Sequence, residues 1–209
     1  MPASAPAREI TIRDATVEDC PFLGRMIHDS GPAINAACFG QRSPEIIAAI
    51  ARDPRALFSY RNARIALREG VPTGAVVVYP APFQNRGGLP YLARLFPLLG
   101  PLGWARALAK QVLISFALAP KAASDFYLAH IAVEPDRRSS GVGRVLMATA
   151  EAMARSRGAA RLVLDVELDN ERAFAFYRRE GFIEATRGRV PFWADRLGTE
   201  GFIRMEKAL

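Results

Sequence analysis

At 209 residues and 50% apolar, the chain is long enough to bury the core of one domain with room for an insertion. Two cysteines, Cys20 and Cys38, without metal-ligand spacing, argue against a disulfide framework and against a zinc or other metal site. A net charge of +7 suits a partner bearing phosphate or carboxylate, while the lack of a basic run interleaved with aromatics argues against nucleic acid.

Met1 to Arg8 has no apolar core of the kind a signal peptide needs and reads as a flexible N-terminal tail. The expectation is therefore a cytoplasmic protein with a single domain over residues 9–209. Ile10 to Arg13 reads as a first strand, followed by Asp14-Ala15-Thr16 and a helix from about Asp19 to Ser30. Phe22, Leu23, Met26 and Ile27 form its apolar stripe, and Gly31-Pro32 ends it. Ser43-Pro44-Glu45, a cap followed by proline, starts a helix running to Ala51. Ala63 to Leu67 and Ala75 to Tyr79 are strands joined by the polar turn Arg68 to Gly74.

From Pro80 to Pro120 the pattern breaks, punctuated by Pro82, Gly87, Gly88, Pro90, Pro97, Gly100, Pro101 and Gly103. Two apolar pieces remain, Tyr91 to Leu99 and Trp104 to Leu118. The second is charged only at Arg106 and Lys110. Trp104, Leu108, Val112 and Phe116 share one helical face, which Leu113, Ile114, Ala117 and Leu118 widen to most of the circumference. Such a helix must be buried somewhere. It falls short of the roughly 20 residues of a bilayer span, so no transmembrane segment is expected. Its alternatives are packing within the domain, covering an apolar substrate channel, a homodimer interface, or lying on a membrane surface. Packing comes first and the channel cover second.

Phe126 to Val133 is apolar and β-prone except for His130, as in a strand covered on both faces. After a turn, a helix is expected from Gly143, with Val142, Val145, Leu146, Thr149 and Met153 at helical spacing and Arg144, Glu151 and Arg155 on the wet side. The first amides of a helix have no intrahelical partner and lie at the positive end of its dipole. A glycine-rich entry can therefore cradle phosphate, and Arg138 and Arg144 can bond its oxygens in a fork. Taken alone, Gly141 and Gly143 equally describe a tight strand-to-helix turn. Arg161 to Val166 is the next strand. Asp169-Asn170 caps a helix that holds Glu171 in its first turn, Arg178-Arg179 near its end and Gly181 as its stop. Phe182 to Val190 and Gly201 to Met205 are final strands, joined by a loop with Phe192, Trp193 and Asp195.

Arg138-x-x-Gly141-x-Gly143, following Ile131-Ala132-Val133, resembles the acetyl-CoA-binding motif of the GNAT superfamily of acyl-CoA N-acyltransferases. Asn170 to Tyr177, with Ala173 between them and Gly181-Phe182 beyond, is similar to that family's Asn-x-x-Ala-x-x-x-Tyr-x-x-x-Gly-Phe signature. The opening from Ile12 to Asp19 resembles the family's entry. The resemblance, strongest from about Phe126 to Glu184, implies an α/β GNAT fold: a mixed, mostly antiparallel central sheet flanked by helices on both faces, an αβα sandwich. Here it would carry a helical insertion at about residues 80–120.

The same resemblance implies an acetyl-CoA-dependent N-acetyltransferase. An amine, on a small molecule, peptide or protein, attacks the thioester directly through a tetrahedral intermediate, and CoA thiolate leaves. Ile131, Ala132 and Val133 would hold the pantetheine arm by their main chain. The amides of Arg138, Ser139, Ser140, Gly141, Val142, Gly143 and Arg144 would hold the pyrophosphate. Asn170 matches the family asparagine near the arm, and it also suits a plain helix cap. Tyr177 matches the family's tyrosine and is the candidate general acid; by periodicity it belongs to the buried face of its helix.

The base is less defined. The positions two and four before the Ile131-Ala132-Val133 tripeptide, where relatives often carry a base, hold Ala129 and Tyr127. His130 is one step out of phase, and alternation turns it to the other face unless a bulge restores it. Otherwise it is a hydrogen-bonded core histidine. Asp165 matches a glutamate of relatives that acetylate amino termini; Glu134 and Glu167 come after it. His28, Asp29, Asn35 and Gln41 lie where the family lines its acceptor cleft, and each also suits a surface or capping role. Two readings compete with the enzyme: a non-catalytic acyl-CoA-binding sensor, and a membrane-surface or partner-binding protein using the apolar insertion.

Overall fold

A computed structural model of the chain describes residues 9–190 and 198–209, with backbone but not side chains for residues 83–94. The tail over Met1 to Arg8 and the loop residues Phe192, Trp193 and Asp195 lie outside the described residues.

Seven strands form one sheet: β1 (Ile10–Asp14), β2 (Ala63–Arg68), β3 (Val71–Pro80), β4 (Asp125–Val133), β5 (Arg161–Glu167), β6 (Ile183–Arg189) and β7 (Gly201–Ala208). Their order is β1-β2-β3-β4-β5-β7-β6, and every neighbouring pair is antiparallel except β4–β5. Among the described residues, six α-helices accompany them: α1 (Cys20–Ser30), α2 (Pro32–Phe39), α3 (Ser43–Ala51), α4 (Ala81–Ala117), α5 (Val142–Ser156) and α6 (Glu171–Arg179).

The strands at the centre are apolar on both faces because both are covered. Val76, Val78, Phe126, Leu128 and Leu162 pack with Leu146, Met147 and Tyr177 of α5 and α6. Ala75, Val77, Tyr79, Tyr127 and Val163 pack with Leu23, Met26, Ile27 and Ile47 of α1 and α3. Each fully buried Leu or Ile here stabilises the fold by about 1.5–3 kcal/mol. At the entry, the Asp19 carboxylate accepts from the Thr16 amide (2.7 Å) and from both Arg13 terminal nitrogens (2.6 and 2.8 Å). The Arg13 contact holds that carboxyl below its usual range. These contacts tie the end of β1 to the start of α1.

Three expectations are corrected. The helix after the cofactor turn begins at Val142, not Gly143, with Gly141 as its cap. Glu151 is buried rather than wet, because Lys207 from β7 reaches it at 2.6 Å. The third concerns the insertion: it is helical and packs on the domain as expected, in two segments meeting at Gly100 (φ +66°, ψ 176°), but its apolar circumference is only partly buried. Leu95, Ala107, Ile114 and Ala117 are buried against α2, α3 and β7. Phe96, Leu98, Leu102, Val112 and Phe116 face outward, Leu102 at 66% and Phe116 at 71% exposure. One side of the helix packs on the domain and the other does not. Its end lies so close on β6 that a Cβ at Gly188 would stand 2.0 Å from the Ala117 carbonyl oxygen. Among the described residues, no helix is long and apolar enough to cross a membrane.

Candidate active site

The site begins where β4 and β5 part. They pair only at Asp125↔Arg161, Phe126↔Leu162 and Tyr127↔Val163. From Leu128 to Val133 the edge of β4 that faced β5 has no strand partner among the described residues. On its other edge, β4 slips register against β3: Val77 pairs with His130 and Val78 with Leu128, leaving Ala129 as the extra residue of a bulge. The bulge turns His130 to the same side as Tyr127. There its Nδ1 lies 2.8 Å from Ser30 Oγ, and its ring meets Phe58 edge-on at 4.7 Å.

Ser30 has a single hydroxyl proton, and it donates that proton to the Ile27 carbonyl (2.7 Å). Its oxygen therefore accepts from His130 Nδ1–H, which leaves Nε2 as the lone-pair nitrogen. Burial pulls the imidazole down to about 4, so it is neutral at physiological pH.

Two cavities open beside this edge. One, of about 580 Å³, is lined by Ile131, Ala132, Val133, Arg138, Ser139, Gly141, Gly143, Arg144, Asn170 and Tyr177. The structure thus brings most of the sequence-derived cofactor residues around one cleft. Ser140 and Val142 do not line it: the Ser140 hydroxyl donates to the Arg137 carbonyl, and Val142 is buried beneath the sheet. Gly141 has φ +88°, a conformation that favours glycine, and Arg138 Nε donates to the Val133 carbonyl at 3.3 Å. Arg172 and Arg179 of α6 also line the cleft, as does Asp29. Their i, i+7 spacing, which puts two arginines on one helical stripe, was the available signal.

The second cavity, of about 350 Å³, lies between α1, α2, the end of α4, β4 and β5. It shares Ser30, Ile131, Asn170, Ala173 and Tyr177 with the first. His130, Asp165 and Glu167 also line it, with Asn35 and Cys38. Asn35 is buried, its amide donating to the Ile27 carbonyl at 3.0 Å. His28 bonds Ser43 at 3.1 Å, and Gln41 is exposed.

The three candidate bases stand in different surroundings. Asp165 is bound at both oxygens by Arg204 (2.7 and 3.0 Å) and receives the Tyr127 hydroxyl at 3.1 Å. His130 is described above. Glu167 makes no ion pair among the described residues; burial, with Asp169 nearby, pushes its carboxyl up to about 7. Tyr177 stands at the junction of the cavities, between Phe176 and Phe182, and burial holds its phenol far above the usual range. The Asn170 side chain caps α6, accepting from the Ala173 amide at 3.1 Å. Burial pushes the Cys38 thiol up to about 11. No group of three metal-binding side chains occurs among the described residues.

A model of the acetyltransferase (GNAT) family matches residues 33–182, well over half of the chain. The fission yeast Schizosaccharomyces pombe protein named N-alpha-acetyltransferase 30 is 38% identical over 56 residues, 27% of this chain and only 37% of that relative's length. The structure of an N-acetyltransferase from Staphylococcus aureus Mu50 superposes with a TM-score of 0.69 at 16% identity, over 94% of this chain and all of the other. PaiA N-acetyltransferase from Thermoplasma acidophilum, solved in complex with coenzyme A, superposes with a TM-score of 0.56 at 16% identity, over 96% of this chain and 99% of the other. The structural likenesses speak for the fold, and the family match speaks for descent. The chain belongs to the GNAT acetyltransferase family.

Proposed function

We propose that this protein transfers an acetyl group from acetyl-CoA to a primary amine held in the smaller cavity. One observation carries the reading: the two cavities meet at Ser30, Ile131, Asn170, Ala173 and Tyr177. The GNAT family uses acetyl-CoA, and the residues here fit it. The edge of β4 beyond Tyr127, which has no strand partner among the described residues, offers main-chain donors and acceptors that an amide-bearing arm would satisfy as an added strand would. Gly141 and the first turn of α5, with Arg138 and Arg144, suit a pyrophosphate. When bound, acetyl-CoA supplies the activated thioester that the amine attacks.

The chain's own residues then hold and move protons. Tyr177 keeps its proton at every physiological pH and can donate it to a departing thiolate. Glu167, near 7, is matched to accepting a proton from the ammonium. His130 stays neutral and offers Nε2 as an acceptor. Asp165, occupied by Arg204, is assigned to structure rather than proton transfer. Thiol release from acetyl-CoA, measured against a panel of amines and peptides, tests the reading. Amine-dependent release is expected, and tight CoA binding with no release for any acceptor would overturn it in favour of a sensor. The name of the fission yeast relative makes a protein N-terminus one acceptor to include.

A further inference from the structure

We infer that the acceptor is a small monoamine, with one ammonium group set against Glu167 and an apolar tail in the pocket walled by α2, α4 and β4. This deepens the acetyl-transfer reading and rests on it.

The wall comes from α4. Gln111 and Ile114 of α4, with Leu118 just beyond its end, line the acceptor cavity, whereas no described residue of α4 lines the cofactor cleft. The helix is fastened near this point. Lys110 donates to the Ala37 carbonyl of α2, and Ala117 rests on Gly188. Arg204 holds the carbonyls of Ala119 (2.7 Å) and Pro120 (3.1 Å) just beyond the helix. The volume of about 350 Å³ is at the lower end of small-ligand sites, roughly 300–1,000 Å³.

The lining sets the chemistry. Ile34, Phe39, Leu57, Phe58, Ile114 and Leu118 are apolar. Of the two carboxylates that line the cavity among the described residues, Asp165 is neutralised by Arg204, with Lys121 at 3.8 Å. Glu167 has no cation among the described residues. Its Oε1 lies 3.0 Å from where a Cβ on Gly31 would stand, next to Ser30 at the junction. A half-buried carboxylate beside the junction needs a cation, and an ammonium awaiting acetylation supplies it. A second ammonium would find no free carboxylate among the described lining residues, since Asp165 is already held by Arg204, and a peptide is larger than a cavity of about 350 Å³.

The test titrates propylamine, butylamine, pentylamine, hexylamine, 1,4-diaminobutane and an alanyl pentapeptide into the protein saturated with CoA. Calorimetry reads affinity, and thiol release from acetyl-CoA is followed in parallel. Affinity is expected to rise by up to about fourfold with each methylene until the pocket is full. The diamine and the peptide should bind roughly tenfold or more weakly than hexylamine. Leu118→Trp should weaken hexylamine more than propylamine, and Glu167→Gln should weaken all monoamines alike; Ile114→Phe is the milder filling variant. A flat methylene series, or a diamine or peptide bound as tightly as hexylamine, overturns the inference. If the order holds but no acceptor releases thiol, acetyl transfer falls and the amine site stands. If peptides release thiol and alkylamines do not, the transfer reading stands and this inference falls.

Discussion

Arg204 grips Asp165 through two near-parallel bonds, Nε to Oδ1 at 2.7 Å and Nη2 to Oδ2 at 3.0 Å, from directly paired positions on β7 and β5. The side chains are 5% and 3% exposed. The same guanidinium donates to the carbonyls of Ala119 and Pro120, so one residue joins the sheet to the segment leaving α4. Tyr127, which bonds Asp165 from β4, belongs to the last residue pair before β4 and β5 part.

Removing one partner of this pair strands a buried charge. Arg204→Met should destabilise the protein by about 3–5 kcal/mol in urea unfolding. Combining it with Asp165→Asn should recover part of that loss. Strictly additive losses in the double variant would show that the two do not share one interaction.

Tyr177→Phe removes the hydroxyl at the junction and leaves the ring packing between Phe176 and Phe182. The maximal rate should fall by about 100-fold or more while CoA affinity barely changes. Steady-state kinetics with calorimetry separate the two, and an unaltered kcat would remove the acid role.

Glu167 gives two pH signatures. As the base, it should make kcat/KM fall as pH drops below about 7, a limb absent from Glu167→Gln and retained in His130→Gln. Its stability effect has the opposite direction. The folded chain holds this proton more tightly than the unfolded chain, whose carboxyl sits near 4.5, so ionisation between 4.5 and 7 favours unfolding. Glu167→Gln should therefore be more stable than the parent above pH 7, by about 1–2 kcal/mol after partial exposure is allowed for, with the gain gone below pH 4.5. Denaturant midpoints across pH measure it.

Gly141→Val forces a β-branched residue to φ +88° at the cap of α5, and Arg138→Ala removes a guanidinium from the cleft. Each should weaken CoA binding by about tenfold or more. Equal affinity in both variants, read by calorimetry, would contradict the phosphate assignment.

Local patterns made much of this legible. The apolar runs of β3, β4 and β5, the Gly141 turn and the Asn170 cap are set by residues within a few positions of one another. What could not be read came from partners distant in the chain. Asp165 looked like a base because Arg204, 39 residues on, is invisible to spacing. Glu151 looked wet because Lys207 arrives from the last strand. His130 needed a bulge whose extra residue, Ala129, has no signature of its own. In α4, Gly100-Pro101 is a true break; Pro82 and Pro101, at the starts of the two helical segments, forfeit no intrahelical bond, whereas Pro90 and Pro97 lie within the first segment, which stays helical around them.

Cys38 and Cys20 differ in a way that turns the molecule into its own reporter. Cys20 is sealed in the interior, whereas the Cys38 sulfur borders the space between α2 and α4. Its reluctance to ionise makes it slow toward alkylating agents, so modification proceeds on a timescale that can be followed. A molecule lodged in that space shields the sulfur, and the slowing of its labelling counts occupied chains without any catalytic turnover.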